Sequence, residues 1–164
     1  MSYPEKKKKV YTVDEAWDRI TNYCALEDRC QQQVLEKLNN MLSNADVIDE
    51  LLVRLIEQRF VDEERFARSY VRGKFKMKRW GRLKIKQGLY HKSISDYCTR
   101  KGFEEIDENL YRETVLDVLR KKDRLLRENN PYKRKQKLMQ YLASRGFESS
   151  YIYTAIDALK EELP

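Results

Sequence analysis

Apolar residues recur along this chain at helical spacing, and the recurrence itself repeats. Shifting the sequence against itself by 51 residues and then by 53 aligns three segments without a gap. Cys30, Gly81 and Arg134 fall together, as do Val34, Ile85 and Leu138, and Leu38, Leu89 and Leu142. Farther on, Ile48 coincides with Thr99 and Ile152, Leu52 with Phe103 and Ile156, and Leu55 with Ile106 and Leu159. Steps of three and four hold each set on one helix face. Ala16 and Ile20 also align with Ala67 and Val71, which adds a helix ahead of the first two segments. A fixed period of this kind is the signature of an array of small units. The pattern predicts an all-α protein of three tandem three-helix repeats. Their bounds are residues 12–60, 61–108 and 109–164, after a basic tail over 1–11 that is expected to be disordered. Val34, Leu38, Ile85, Leu89, Leu138 and Leu142 are expected to be buried.

The punctuation agrees with this division. No proline occurs between Pro4 and Pro131, so nothing forbids helix over most of the chain. Order is expected to begin at Thr12 to Asp14, a capping region before Ala16, Ile20 and Tyr23. Gly81 falls at a boundary between helices, Gly146 in a turn, and Arg127 to Pro131 reads as a linker. Gly102 falls inside the last helix of the second repeat, where it costs about 1 kcal/mol relative to alanine. Either that helix breaks there or it is weak.

Charge changes the picture at one place. The stretch from Phe60 to Leu89 opens with Asp62 as a helix cap and with Glu63 and Glu64 in the first turn, where the helix dipole favours acids. From Arg65 to Ser95 there are eleven lysines or arginines and no acid. The whole chain carries only +7, so everything outside this stretch is net acidic. On a continuing helix, Arg65, Arg68, Arg72, Lys76 and Arg79 share one face, beside an apolar stripe of Phe66, Tyr70, Met77 and Trp80. A solvated surface would mix its signs, so a long run of one sign points to an anionic partner. Lys, Arg, Tyr and Trp interleave over Tyr70 to Tyr90, a mixture that suits phosphates and bases and equally suits a protein interface. Core packing is the favoured role for Tyr70 and Trp80.

Composition excludes other chemistry. Apolar residues make up 41% and charged residues 37% of the 164, which suits a thinly cored helical array better than a compact enzyme. Cys24, Cys30 and Cys98 form no paired motif, and His91 is the one histidine, so no zinc site is expected. There is no phosphate-binding glycine loop, nucleophile elbow or metalloprotease motif. The acidic pairs Glu63/Glu64, Glu104/Glu105 and Glu161/Glu162 are adjacent, which on a helix points them apart. No catalytic, cofactor or metal residues are assigned, no membrane association is expected, and a reducing cytoplasm is the simplest setting.

The sequence resembles the RecX regulators of the RecA recombinase, in the form found in Bacteroides-type bacteria. The residues that carry the likeness are Phe-Val-Asp-Glu-Glu-Arg-Phe-Ala at 60–67, Lys74 and Phe75, Trp-Gly-Arg-Leu-Lys-Ile at 80–85, and Leu89. Lys37 and Leu38 and the late Ala-Ser-Arg-Gly-Phe at 143–147 add to it. The likeness spans Ala16 to Leu159, with Cys30 standing where serine is usual and Gly102 where a helix former is expected. It implies an elongated, curved monomer without catalytic activity that binds the RecA filament on single-stranded DNA and reduces its ATP hydrolysis and strand exchange. It assigns that contact to Arg65, Arg68, Arg72, Lys76, Arg79, Arg82, Lys84 and Lys86. Direct binding of single- or double-stranded DNA is a further expectation. A free-standing helical nucleic-acid module and a helical adaptor for another acidic protein stay open as alternatives.

Overall fold

Short polar side chains start the helices by accepting the backbone N–H groups that a helix cannot satisfy internally. In the computed structural model, which describes residues 10–161, Thr12 does this for α1 (Val13–Leu26), sharing a reciprocal pair of bonds with Glu15. Cys30 precedes α2 (Gln31–Asn39) and is capped from the other side, its own N–H donating to Gln33 Oε1 at 3.1 Å. Asn44 caps α3 (Ala45–Glu57), and Asp62 caps α4 (Glu63–Lys78) by accepting from the Arg65 N–H at 2.9 Å. After α5 (Arg82–Tyr90), Ser95 caps α6 (Asp96–Phe103) and Asp107 caps α7 (Glu108–Leu125). Asn130 caps α8 (Pro131–Ser144), with proline in its first turn, and α9 (Ser149–Glu161) follows. Every regular element among the described residues is an α-helix.

The chain divides into two compact units, one ending at Phe66 and one starting at Ala67, with the division inside α4. In the first, α1, α2 and α3 close around Ala16, Ile20, Val34, Leu38, Ile48, Leu51 and Leu55. Trp17 meets Phe60 edge to face at 6.2 Å, with the Arg54 guanidinium 3.9 Å from its ring centroid. The basic tail lies, for residues 1–9, outside the described residues. Tyr11, expected to belong to the tail, is half-buried, and its N–H donates to the Met41 carbonyl at 3.4 Å.

The second unit holds the rest of α4 and α5 to α9. Val34, Leu38, Ile85, Leu89, Leu138 and Leu142 are all buried, as the repeat requires. The apolar stripe of α4 is a correction. Ala67, Val71 and Phe75 form the buried line, joined by Phe66, while Tyr70 and Trp80 are half-buried and Met77 is 82% exposed. One residue turns a helix by about 100°, so Ala67 and Val71 lie one position round from Phe66 and Tyr70, while Met77, two positions beyond Phe75, points to the opposite side. Alignment with α1 marks Ala67 and Val71, and the neighbouring aromatic residues draw the apparent stripe off that face.

Two glycine positions are set by close approach. Gly81 and Gly146 bring the turn before α5 against the turn between α8 and α9. The Gly81 N–H donates to the Arg145 carbonyl at 2.8 Å, and the Leu83 N–H donates to the Gly146 carbonyl at 3.0 Å. A Cβ on Gly81 would fall 2.2 Å from the Gly146 oxygen, and one on Gly146, whose φ is +87°, would fall 2.3 Å from Lys84 Cβ. Only glycine fits either site. Gly102 lies in the final turn of the eight-residue α6, and a Cβ there would sit 2.9 Å from the Ala67 carbonyl oxygen. The cost in helix propensity is offset by letting α6 lie directly on α4.

Candidate functional site

The acid-free stretch from Arg65 to Ser95 provides α4, α5 and the turns after each, and its charges do not lie bare along one face. Arg65 sits in the first turn of α4 and points back toward the end of α1. Its Nε donates to Asp28 at 2.6 Å, and its two terminal nitrogens donate to the Arg59 and Phe60 carbonyls at 3.1 and 3.2 Å. The Arg65 backbone N–H, aided by Arg59, holds the Asp62 carboxyl below the usual range. This arginine ties the connection between α3 and α4 to the end of α1.

Arg68 and Arg72, one turn apart on α4, both reach the end of α6. Arg68 spans Glu104 at 2.8 Å and Glu105 at 3.1 Å, and Arg72 meets the other oxygen of Glu105 at 2.9 Å. Such charge-assisted pairs are directional and fix both partners. Arg82, in the first turn of α5, is the most committed of the eight. It donates to Glu108 at 2.8 Å, lies 3.7 Å from Glu148, and stacks over the Tyr111 ring at 4.0 Å. Its remaining terminal nitrogen donates to the Tyr151 hydroxyl, which itself donates to Glu108.

Arg79 lies past the end of α4 in the left-handed region, with φ 54°, and donates to Thr114 Oγ1 at 3.3 Å. It therefore leaves the helix face that the spacing predicts for it. Lys84 donates to the Ser144 carbonyl at 3.3 Å, and its ammonium lies 4.8 Å from the Trp80 centroid, with Lys74 at 5.0 Å from the same ring. Lys76 and Lys86 are exposed and make no ion pair among the described residues, and neither does Lys78 beside them. Exposed apolar side chains alternate with these cations: Met77, Leu83 at 56% and Tyr90 at 78%. The stretch thus has an inner set of arginines that builds the fold and an outer set of lysines that faces water.

The carboxylates that complete the inner set, Glu104, Glu105, Glu108 and Glu148, all lie beyond the acid-free stretch. Glu104 and Glu105 correct the expectation that adjacent acids point apart, for they lie past the end of α6 and Arg68 bridges both, whereas nothing in the sequence marks Glu108 or Glu148. The titration of Glu104, Glu108 and Glu128 is expected to contribute to acid stability. The Lys101 and Arg68 side chains hold Glu104 below the usual carboxylate range, Tyr151 and Arg82 do so for Glu108, and Lys137 for Glu128. A carboxylate whose pKa is lower folded than unfolded adds stability above its unfolded value and loses it as pH falls through the folded one. The melting temperature is therefore expected to stay level from neutral pH down to about 5 and to fall below about 4, the unfolded carboxylate range. A melting temperature still level at pH 3 would contradict these pairings.

Among the described residues no group of side chains could hold a metal ion, and no helix is long and apolar enough to cross a membrane. Residues 62–101 match the family model for the second three-helix domain of RecX, and residues 111–156 match that for the third. The chain is similar to the regulatory protein RecX of Chlorobium phaeobacteroides, 28% identical over 88% of this chain and 93% of that one. It is 23% identical to that of Bacillus mycoides over 92% of its own length, and spans only 56% of that longer protein. Among solved structures, RecX from Lactobacillus salivarius superposes with a TM-score of 0.80, covering 90% of this chain and 96% of that one at 24% identity. A second RecX structure gives 0.81 over 88% of this chain.

Proposed function

This chain belongs to the RecX family, and from that premise we propose that it regulates the RecA recombinase by binding the RecA filament on single-stranded DNA. It acts in the cytoplasm without chemistry of its own, slowing the filament's ATP hydrolysis and strand exchange by favouring one filament state or occupying space along it. The observation that carries this reading is the outer set on α4 and α5, where Lys76, Lys78 and Lys86 stand among exposed Met77, Leu83 and Tyr90. Lysines without internal carboxylates keep their charge for a partner, and the apolar groups between them supply area that a purely electrostatic contact lacks. Of the eight cations assigned to the contact, Lys76 and Lys86 make it directly. Arg68, Arg72 and Arg82 support it by fixing α4 and α5.

The test is RecA ATP hydrolysis on single-stranded DNA, with co-sedimentation of this protein on the filament. Turnover is expected to fall at or below one copy per RecA, with the protein recovered alongside the filament. Unchanged turnover with no co-sedimentation overturns the reading. Retained affinity for bare DNA would then favour a free-standing nucleic-acid module.

A further inference from the structure

The first unit carries a cleft of about 480 Å³ that none of the residues assigned above enters. Tyr11 borders it ahead of α1, Arg19, Asn22 and Tyr23 come from α1, Lys37 from α2, and Asn40 from the α2 C-cap. The Arg19 guanidinium lies 4.8 Å from the Tyr11 ring centroid, and the Lys37 ammonium 5.4 Å from that of Tyr23. No acidic residue lines the cleft. Its setting is the reverse of the inner arginines of α4 and α5. Those are neutralised by glutamates, whereas Arg19 and Lys37 are exposed and make no ion pair among the described residues. The Arg29 guanidinium also lies against Tyr23, at 4.1 Å, but is paired with Glu27 at 2.9 Å and stays out of the lining.

Two cations anchored on rings offer charge at fixed positions, which suits phosphates spaced along a backbone. Two tyrosine rings offer surfaces for bases, and the side-chain amides of Asn22 and Asn40 can each donate and accept, as a base edge requires. A carboxylate-rich peptide would use the cations and leave the rings and amides idle. We propose that this cleft binds single-stranded nucleic acid, with phosphates on Arg19 and Lys37 and bases against Tyr11 and Tyr23. Arg19 and Tyr23 lie one turn apart on α1, Tyr11 stands just ahead of that helix, and the packing of α2 against α1 brings Lys37 to them.

The experiment measures fluorescence anisotropy of a fluorescein-labelled oligothymidylate with the full chain, in a sodium chloride series and without RecA, so its result does not depend on the regulatory reading. The wild-type protein is expected to bind, and the R19Q/K37Q double variant to bind at least tenfold more weakly at low salt. Its log–log salt slope is expected to be shallower by about 1.4, the loss of two single-strand phosphate contacts. The charge-conserving R19K/K37R variant is expected to bind like wild type, which separates lost charge from lost structure. Photo-cross-linking of oligonucleotides bearing 4-thiothymidine is expected to place adducts on Tyr11 or Tyr23. No binding by wild type, unchanged affinity and slope in R19Q/K37Q, or adducts confined to α4 and α5 would each overturn the proposal. So would a larger loss for oligoglutamate than for DNA, which would assign the cleft to an acidic protein.

Discussion

Replacing Tyr111 with alanine is expected to lower the stability of the protein by about 3 to 5 kcal/mol, the range for deleting a large buried aromatic side chain. The ring is fully buried and joins four other groups of the second unit. It lies 5.7 Å from Phe75 of α4 and from Phe147, 5.0 Å from Tyr151 of α9, and carries Arg82 of α5 over its face. Its hydroxyl accepts from the Arg82 N–H at 3.0 Å and donates to Glu148. Burial, then the bond to Glu148, push its pKa up, so it remains a donor across the working range. Two variants separate ring from hydroxyl. Tyr111→Phe keeps the packing and strands a backbone donor and a carboxylate, a loss of about 1 to 3 kcal/mol. Urea denaturation gives both values, and equal losses would mean that the ring's contacts contribute nothing.

Reversing Lys76, Lys78 and Lys86 together to glutamate is expected to raise the concentration needed to half-suppress RecA ATP hydrolysis by at least about tenfold. Like charges facing each other across an interface cost several kcal/mol, and about 1.4 kcal/mol already accounts for a factor of ten. The three positions have no internal carboxylate to lose. The helix dipole penalty for acids in the last turn of α4 is about 0.3 to 1 kcal/mol each, which circular dichroism would register as a small shift in melting temperature. Reversal at Arg68 and Arg72 is a different experiment. It would place two new carboxylates against Glu104 and Glu105, so lost activity there would report a damaged fold. Full potency in the lysine variant would move the contact to another surface.

The helices and their buried faces were legible because an apolar face repeated three times leaves a periodic trace: Leu38, Leu89 and Leu142 are all fully buried. The trace fails where a unit departs from its siblings. Arg134 aligns with the helix-start residues Cys30 and Gly81, yet α8 begins about a turn earlier at Pro131. Arg134 points back instead, donating to Asp123 at 2.8 Å and to the carbonyls of Leu126 and Glu128 at 3.0 Å, and so secures the linker. The candidate site was legible as a concentration of charge and illegible as a surface. Which cations remain for a partner depends on where Glu104, Glu105, Glu108 and Glu148 land, and tertiary packing alone decides that. Propensity alone marks Gly102 as a weakness because it sees the helix and not the α4 carbonyl beneath it.

The paired turns at Gly81 and Gly146 bear on how the molecule can be divided. The sequence repeat invites a cut near residue 108, yet two backbone hydrogen bonds and a mutual glycine contact cross that position from one side to the other. A fragment ending there would leave the Gly81 and Leu83 amides without acceptors, and one starting there would bare the Gly146 backbone. The second and third repeats share one compact unit, so a cut between them is expected to destabilise both halves.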